Sequence, residues 1–286
     1  MDFTKMHGAG NDYIYIDARH QERNWRDLTI QMSDCHTGVG SDGMILLKES
    51  QTSDLRMQMF NTDGSEGKMC GNGIRCLVAF AINQGMIPQD TSPVIVETLA
   101  GNLKVTPIWE NNKITYASVA MGKPNFEPQS LHNVATQNTN NTALMDYPLE
   151  VNDQNLIINV TTIGNLHAVT FVETPVETYD LTNIGPLVEN HSMFPDRTNF
   201  EIVNVLNRRH LKVRVWERGT GRTLACGTGA CAVAVICHIK NLVDDKVTVS
   251  LPGGDLMVEW NGQDEVIMEG PVEEVFHGKW MTSSPS

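Results

Sequence analysis

Apolar residues recur along this chain in two spacings. Alternations or runs of strand length occupy residues 13–17, 44–47, 55–60, 94–98, 103–108 and 114–121, then 156–162, 168–172, 201–206, 212–216, 247–250 and 255–260. Helical spacing is scarcer. Residues 74–84, stopped by Gly85, and 230–240 read as helices, and 26–33 and 180–189 carry a sparser version of the same pattern. Residues 124–142, near the midpoint, are rich in Asn, Gln, Ser and Thr and read as a linker or a long surface connection. The pattern predicts an α/β protein of the α+β kind, with strands predominant.

The midpoint separates two similar halves. Gly10-Asn11 precedes a strand, and Cys70-Gly71-Asn72-Gly73 begins 59 positions after Asn11. Gly164-Asn165 precedes another strand, and Cys226-Gly227-Thr228-Gly229 begins 61 positions after Asn165. Each Cys-Gly-x-Gly unit opens an apolar helix of small residues. Two landmarks at nearly matching separation argue for two copies of one fold. The expected domains are residues 1–124, completed by about 272–286, and residues 125–271.

Composition narrows the classes. With 286 residues, 41% of them hydrophobic, the chain can build two cores and is not disordered. A net charge of −13 gives no general attraction to nucleic acid or anionic lipid. No apolar run approaches the ~20 residues of a membrane helix, and Met1-Asp2-Phe3-Thr4-Lys5 does not open like a signal peptide. A cytoplasmic protein with neither nucleic-acid nor membrane partners is expected. The six cysteines contain no Cys-x-x-Cys, so reduced thiols are expected and no metal site.

The repeated motif carries chemistry. A helix N-terminus offers N–H groups without internal acceptors and positive potential, a place for a carboxylate. A cysteine there is drawn toward thiolate. One such cysteine is more often inert filling, since free cysteine is among the most buried residue types. Two in matching contexts point instead to thiols facing across an interdomain cleft. Cys76, Cys231 and Cys237 lie within apolar helical patterns and are expected in the core. A thiolate that removes an α-proton, opposite a thiol that delivers one, inverts a stereocentre without a cofactor.

Longer motifs carry a resemblance. Asn61-Thr62-Asp63-Gly64-Ser65-Glu66 with Met69-Cys70-Gly71-Asn72-Gly73-Ile74-Arg75-Cys76, Glu217-Arg218-Gly219-Thr220-Gly221 with Leu224-Ala225-Cys226-Gly227-Thr228-Gly229-Ala230, and His7-Gly8-Ala9-Gly10-Asn11-Asp12 resemble the signatures of diaminopimelate epimerases. The resemblance spans residue 5 to about 275. It implies two pseudo-symmetric domains, each a β-barrel-like sheet around a central helix, acting on LL- and meso-2,6-diaminopimelate without pyridoxal phosphate or another cofactor. It implies Cys70 and Cys226 as the acid–base pair, helped by His167 and Glu217. Gly71, Asn72, Gly227 and Thr228 would bind the α-carboxylate, and Asn11, Asn61, Asn165, Asn199, Glu217 and Arg218 the ammonium groups and distal carboxylate. The reaction belongs to lysine and peptidoglycan precursor synthesis. Dimerisation is common in that family, so a homodimer is among the assemblies the resemblance allows.

The sequence departs from the family in three places. Leu166 stands where members have proline, which loosens the turn before His167. Gly43 replaces a glutamine that some members carry, and Arg197-Thr198 before Asn199 is unusual. Three other functions compete. A racemase of another amino acid such as histidine would keep both cysteines but not the groups for a second amino-acid head. A dinucleotide oxidoreductase would use Gly38-Val39-Gly40-Ser41-Asp42-Gly43, but a helical pattern precedes that motif and a strand follows, the reverse of what it needs. A thiol redox protein would cycle a disulfide that inactivates an epimerase.

Overall fold

The computed structural model describes residues 1–126, 144–152 and 154–281. Most of the segment read as a linker, from residue 127, lies outside the described residues, as does the end of 272–286 beyond 281. Two compact units divide the chain: Met1–Ala120 with Glu269–Ser286, and Met121–Met268.

In the first unit, β1 (Asp2–Gly8) and β2 (Asn11–Asp17) form an antiparallel hairpin. α1 (Trp25–Ser33), capped by the Asn24 side chain on Asp27 N–H, leads to β3 (Gly43–Lys48), which pairs parallel with β2. β4 (Leu55–Asn61) returns antiparallel to β3 and pairs with the short β5 (Glu66–Gly67). After α2 (Gly71–Asn83), β6 (Val94–Thr98) lies parallel to β4, and β7 (Gly101–Glu110) and β8 (Lys113–Ala120) complete an antiparallel meander.

The second unit repeats this order. β9 (Tyr147–Val151) pairs with β10 (Gln154–Ile163), and β10 and β11 (Asn165–Phe171) form the hairpin. α3 (Leu181–Glu189) precedes β12 (Asn199–Asn207), which is parallel to β11 and antiparallel to β13 (His210–Glu217). β14 (Gly221–Arg222) adds to β13, α4 (Gly227–Ile239) follows, β15 (Lys246–Leu251) is parallel to β13, and β16 (Gly254–Glu259) is antiparallel to β15. β17 (Ile267–Pro271) carries the chain back to the first unit, where β18 (Glu273–Lys279) pairs antiparallel with β1.

Both sheets wrap a helix. Gly71 to Ile82 of α2 are all buried, against β1, β2, β3, β7 and β8. Ala230 to Cys237 of α4 are likewise buried, against strands from β10 to β16. A helix apolar on every side has no solvent face to offer and sits at the centre. The other face of each sheet is covered by α1, over Ile14, Met44 and Leu46, and by α3, over Val160, Phe200 and Ile202. Strands covered on both faces read as unbroken apolar runs, as β3 does.

All four helices and all twelve strands read from the sequence are present. α2 begins three residues earlier than the apolar pattern, because Gly71-Asn72-Gly73 form its first turn under the Cys70 cap. Likewise, α4 begins at Gly227 under the Cys226 cap. The pattern did not reveal β1, β9, β17 or β18, nor the two-residue β5 and β14. Four residues of β18 are charged or histidine, so its pairing with β1, not its own periodicity, makes it a strand. Cys76, Cys231 and Cys237 are buried, as expected. Residues 38–43 join α1 to β3, the wrong order for a dinucleotide loop.

Candidate active site

Each Cys-Gly-x-Gly motif folds as a helix N-terminus with the thiol as its cap. Cys70 has extended backbone (φ −131°, ψ 120°), and its Sγ accepts from Gly73 N–H at 3.4 Å. Cys226 repeats this (φ −122°, ψ 112°), with Gly229 N–H also 3.4 Å from Sγ. Sulfur thus occupies the place where serine usually caps. The N–H groups of Gly71 and Asn72, and of Gly227 and Thr228, lie in first turns and have no intrahelical acceptors.

Glycine at the third helical position has a steric cause. A Cβ at Gly73 would lie 2.4 Å from Ile45 Cδ1, and one at Gly229 would lie 2.7 Å from Glu201 Oε1. The strand beside the helix therefore approaches it at equivalent points in the two units, with isoleucine in one and glutamate in the other.

Around Cys70, the first unit gathers two amides, a phenol and a carboxylate. The Sγ donates to Asn11 Oδ1 at 3.2 Å, and Asn72 Nδ2 donates to the same oxygen at 3.4 Å. Asn11 Nδ2 in turn donates to Asp42 Oδ2 at 2.7 Å. Tyr13 is buried beside Cys70, and its phenol is held well above its usual range by burial first and the thiol second. Arg75, fully buried, donates to Asn72 Oδ1 at 3.0 Å and Gly71 O at 3.3 Å, bracing the turn that follows Cys70. Asn61 is at the exposed end of β4, where its Nδ2 donates to Ser65 Oγ at 3.0 Å.

Around Cys226, the second unit gathers charge. Sγ lies 3.4 Å from Thr228 Oγ1, and the buried thiol is pushed well above its usual range by desolvation, then by the carboxylates of Glu217 and Glu201. A helix terminus contributes at most about 2 kcal/mol toward thiolate, and one pKa unit is about 1.4 kcal/mol. Burial and the two acidic neighbours act against that pull and favour the thiol. Glu217 accepts from Thr223 Oγ1 at 2.5 Å, and burial raises its pKa. His167 is buried, with Nδ1 2.7 Å from Glu201 Oε1 and Nε2 2.7 Å from Asn165 Oδ1.

Asn199 Nδ2 donates to Leu166 O at 2.9 Å, and its Oδ1 accepts from Arg218 N–H at 3.0 Å. Thr198 Oγ1 also donates to Leu166 O at 3.3 Å. The turn that lacks the family's proline is thus tied down by side chains from β12 and the residue before it. Arg218 is exposed at the end of β13, its Nη1 donating to Asp196 O at 3.0 Å. Sequence reasoning passed over Tyr13, Asp42, Arg75, Thr223 and Glu201 as site residues. The available signal for Glu201 was a carboxylate between the apolar Phe200 and Ile202.

Glu217→Gln tests the charge at this site. The raised pKa means that the folded state binds the Glu217 proton more tightly than the unfolded chain, a stabilising contribution complete below the usual glutamate range and lost as pH rises through the folded pKa. Glutamine keeps the acceptor for Thr223 without the charge. Urea unfolding should therefore find Glu217→Gln more stable than the parent at neutral pH, with the difference vanishing toward pH 4. The same variant should shift the pH midpoint of Cys226 alkylation downward.

The fold is shared with a solved hydroxyproline epimerase and a probable proline racemase. A hydroxyproline epimerase from Agrobacterium vitis, solved with bound trans-4-OH-L-proline, superposes with a TM-score of 0.70 at 15% identity, covering 97% of this chain and 91% of that one. A probable proline racemase from Agrobacterium radiobacter K84 gives 0.69 at 12% identity, covering 99% and 93%. At sequence level, the diaminopimelate epimerase family model matches residues 3–127 and 159–275. The diaminopimelate epimerase of Methanococcus maripaludis strain C6 is 44% identical over 281 residues, 98% of this chain and 99% of that protein. That of Acetivibrio thermocellus is 42% identical over 281 residues, 98% of each. This chain belongs to the diaminopimelate epimerase family.

Proposed function

We propose that this protein interconverts LL-2,6-diaminopimelate and meso-2,6-diaminopimelate, as an isomerase of lysine and peptidoglycan precursor synthesis that uses no pyridoxal phosphate. The observation that carries the reading is family membership over nearly the whole chain together with a cysteine capping the central helix of each unit. In this reading, one of Cys70 and Cys226 is a thiolate that removes the α-proton, and the other is a thiol that protonates the opposite face. The electron pair left at the α-carbon spreads onto the α-carboxylate, where the N–H groups of Gly71, Asn72, Gly227 and Thr228 stabilise the growing charge. The reverse reaction exchanges the two roles.

The remaining groups hold the substrate. Asn11, Asn61, Asn165, Asn199, Glu217 and Arg218 bind its ammonium groups and distal carboxylate, the guanidinium suiting the carboxylate and Glu217 an ammonium. His167 and Glu217 assist the catalytic cysteines. The two epimerase domains of this reading are residues 1–124 with 272–286 and residues 125–271. Among the described residues no helix is long and apolar enough to cross a membrane. The reading extends to a cytoplasmic enzyme with a small-molecule substrate, with neither nucleic acid nor membrane as partner, and to a homodimer as the assembly to test by light scattering.

The test is LL-diaminopimelate incubated in heavy water with reduced protein freed of metal and pyridoxal phosphate. The expected result is meso product carrying one deuterium at the inverted carbon. Racemisation of histidine or another amino acid, with diaminopimelate untouched, would keep the thiol pair and overturn the substrate. Silence on every amino acid would overturn the enzyme reading.

A further inference from the structure

Glu201 is a buried carboxylate with no part in the mechanism above. It is fully buried on β12, its Oε1 is 2.7 Å from His167 Nδ1, and its Oε2 has no hydrogen-bond partner among the described residues. We propose, resting on the epimerase reading, that Glu201 is a positioning residue: it accepts the Nδ1–H of His167, fixes the ring, and leaves Nε2 aimed at Asn165 in the substrate site.

Comparison of the two units shows that the fold does not need this carboxylate. In the first unit, Gly43 is opposite Asn61 across β3 and β4, and Met44 is opposite Phe60. In the second, Phe200 is opposite Trp216 across β12 and β13. The match makes Ile45 the counterpart of Glu201, and each touches the corresponding helix glycine, Gly73 or Gly229. The hairpins match in the same way, because Asn11 and Asn165 each open the second strand, so Tyr13 is the counterpart of His167. An aliphatic residue and a tyrosine thus pack in one half where a carboxylate and an imidazole pack in the other.

Magnitudes also argue against a stabilising role. Taking a carboxylate out of water costs more than one hydrogen bond to a charged group returns. One bonded oxygen and one without a partner do not close that gap. What Glu201 does supply is direction. An imidazole ring can turn about its Cβ–Cγ bond, and an acceptor at Nδ1 selects one face of the ring and holds a hydrogen on that nitrogen. His167 is then held between Glu201 and Asn165, whose Oδ1 lies 2.7 Å from Nε2. Glu201 also acts on Cys226, since its charge is among those that raise the thiol.

Glu201→Leu tests the proposal, because leucine restores the aliphatic packing seen at Ile45. The expected result is a kcat about 100-fold lower, at the low end of what a positioned acid–base group contributes. KM should stay within about twofold and the unfolding midpoint should be no lower than the parent's, which a structural role would not give. Glu201→Gln, which keeps an acceptor at that point, should recover most of the activity. In a His167→Gln background the leucine change should cost nothing further. Full activity of Glu201→Leu, or an equal loss in that background, would overturn the proposal. Should the Glu201 variants fail to fold, the wild-type protein labelled with 15N-histidine decides. The resonance absent from His167→Gln must show a hydrogen on Nδ1, and an Nδ1 without one sinks the idea. A wild-type protein that leaves diaminopimelate unchanged would remove the reaction and this proposal with it, and the parent assay tells that failure from the others.

Discussion

Replacing either Cys70 or Cys226 with serine should lower kcat/KM for diaminopimelate at least about 1,000-fold while leaving the unfolding midpoint within a degree or two of the parent. Both halves of the expectation come from geometry. Each sulfur caps a central helix by accepting from the third helical N–H, at 3.4 Å in both units. Serine is among the best residues for that place, so the helix start should survive. Its hydroxyl is a far weaker acid than a thiol and cannot serve as an alkoxide base at neutral pH. Stability and activity therefore separate, and calorimetry alongside a coupled assay reads both. A fully active Cys70→Ser or Cys226→Ser would sink the two-thiol mechanism, while a collapse in stability would mean that sulfur's packing outweighs its chemistry.

The second large effect is expected at Arg75. Its guanidinium is fully buried under the first turn of α2 and donates to Gly71 O and Asn72 Oδ1. Arg75→Met keeps much of the aliphatic volume but leaves these acceptors without that donor, each at about 1–3 kcal/mol when buried. Removing a buried charge recovers some desolvation, yet methionine cannot reach the same partners. A net loss of about 3 kcal/mol follows, or roughly 6–12 °C in the midpoint of the unit that holds α2. Activity should fall as well, by about tenfold or more, because Asn72 also donates to Asn11 Oδ1 and would lose its brace. An unchanged midpoint would show that Asn72 and Gly71 are held by other means.

The His167–Glu201 pair, by contrast, is expected to matter to rate more than to stability. That division would explain why the two units, alike in strand order, differ where their helices begin. Around Cys70 the neighbours are Asn11, Asn72 and Tyr13. Around Cys226 they are Thr228, Glu217 and Glu201, and the two carboxylates push the thiol upward.

The sequence by itself determined the local elements and their duplication. Strand and helix spacing are properties of neighbouring residues, so every strand and helix read from the apolar pattern is present, and Cys70 and Cys226 were identifiable as equivalent helix starts from their glycines alone. Tertiary structure decided the rest. β18, polar along much of its length, is a strand because β1 supplies its hydrogen-bond partners from the other end of the chain. Glu201 looked like an ordinary strand residue, and only the parallel pairing of β11 with β12 brings it to His167, 34 positions away. Arg75 looked like part of a motif, and burial against β1 makes it a brace. Local pattern records which face of an element is apolar, whereas the partner of a buried polar group is fixed by strand register and helix packing between residues far apart in the chain.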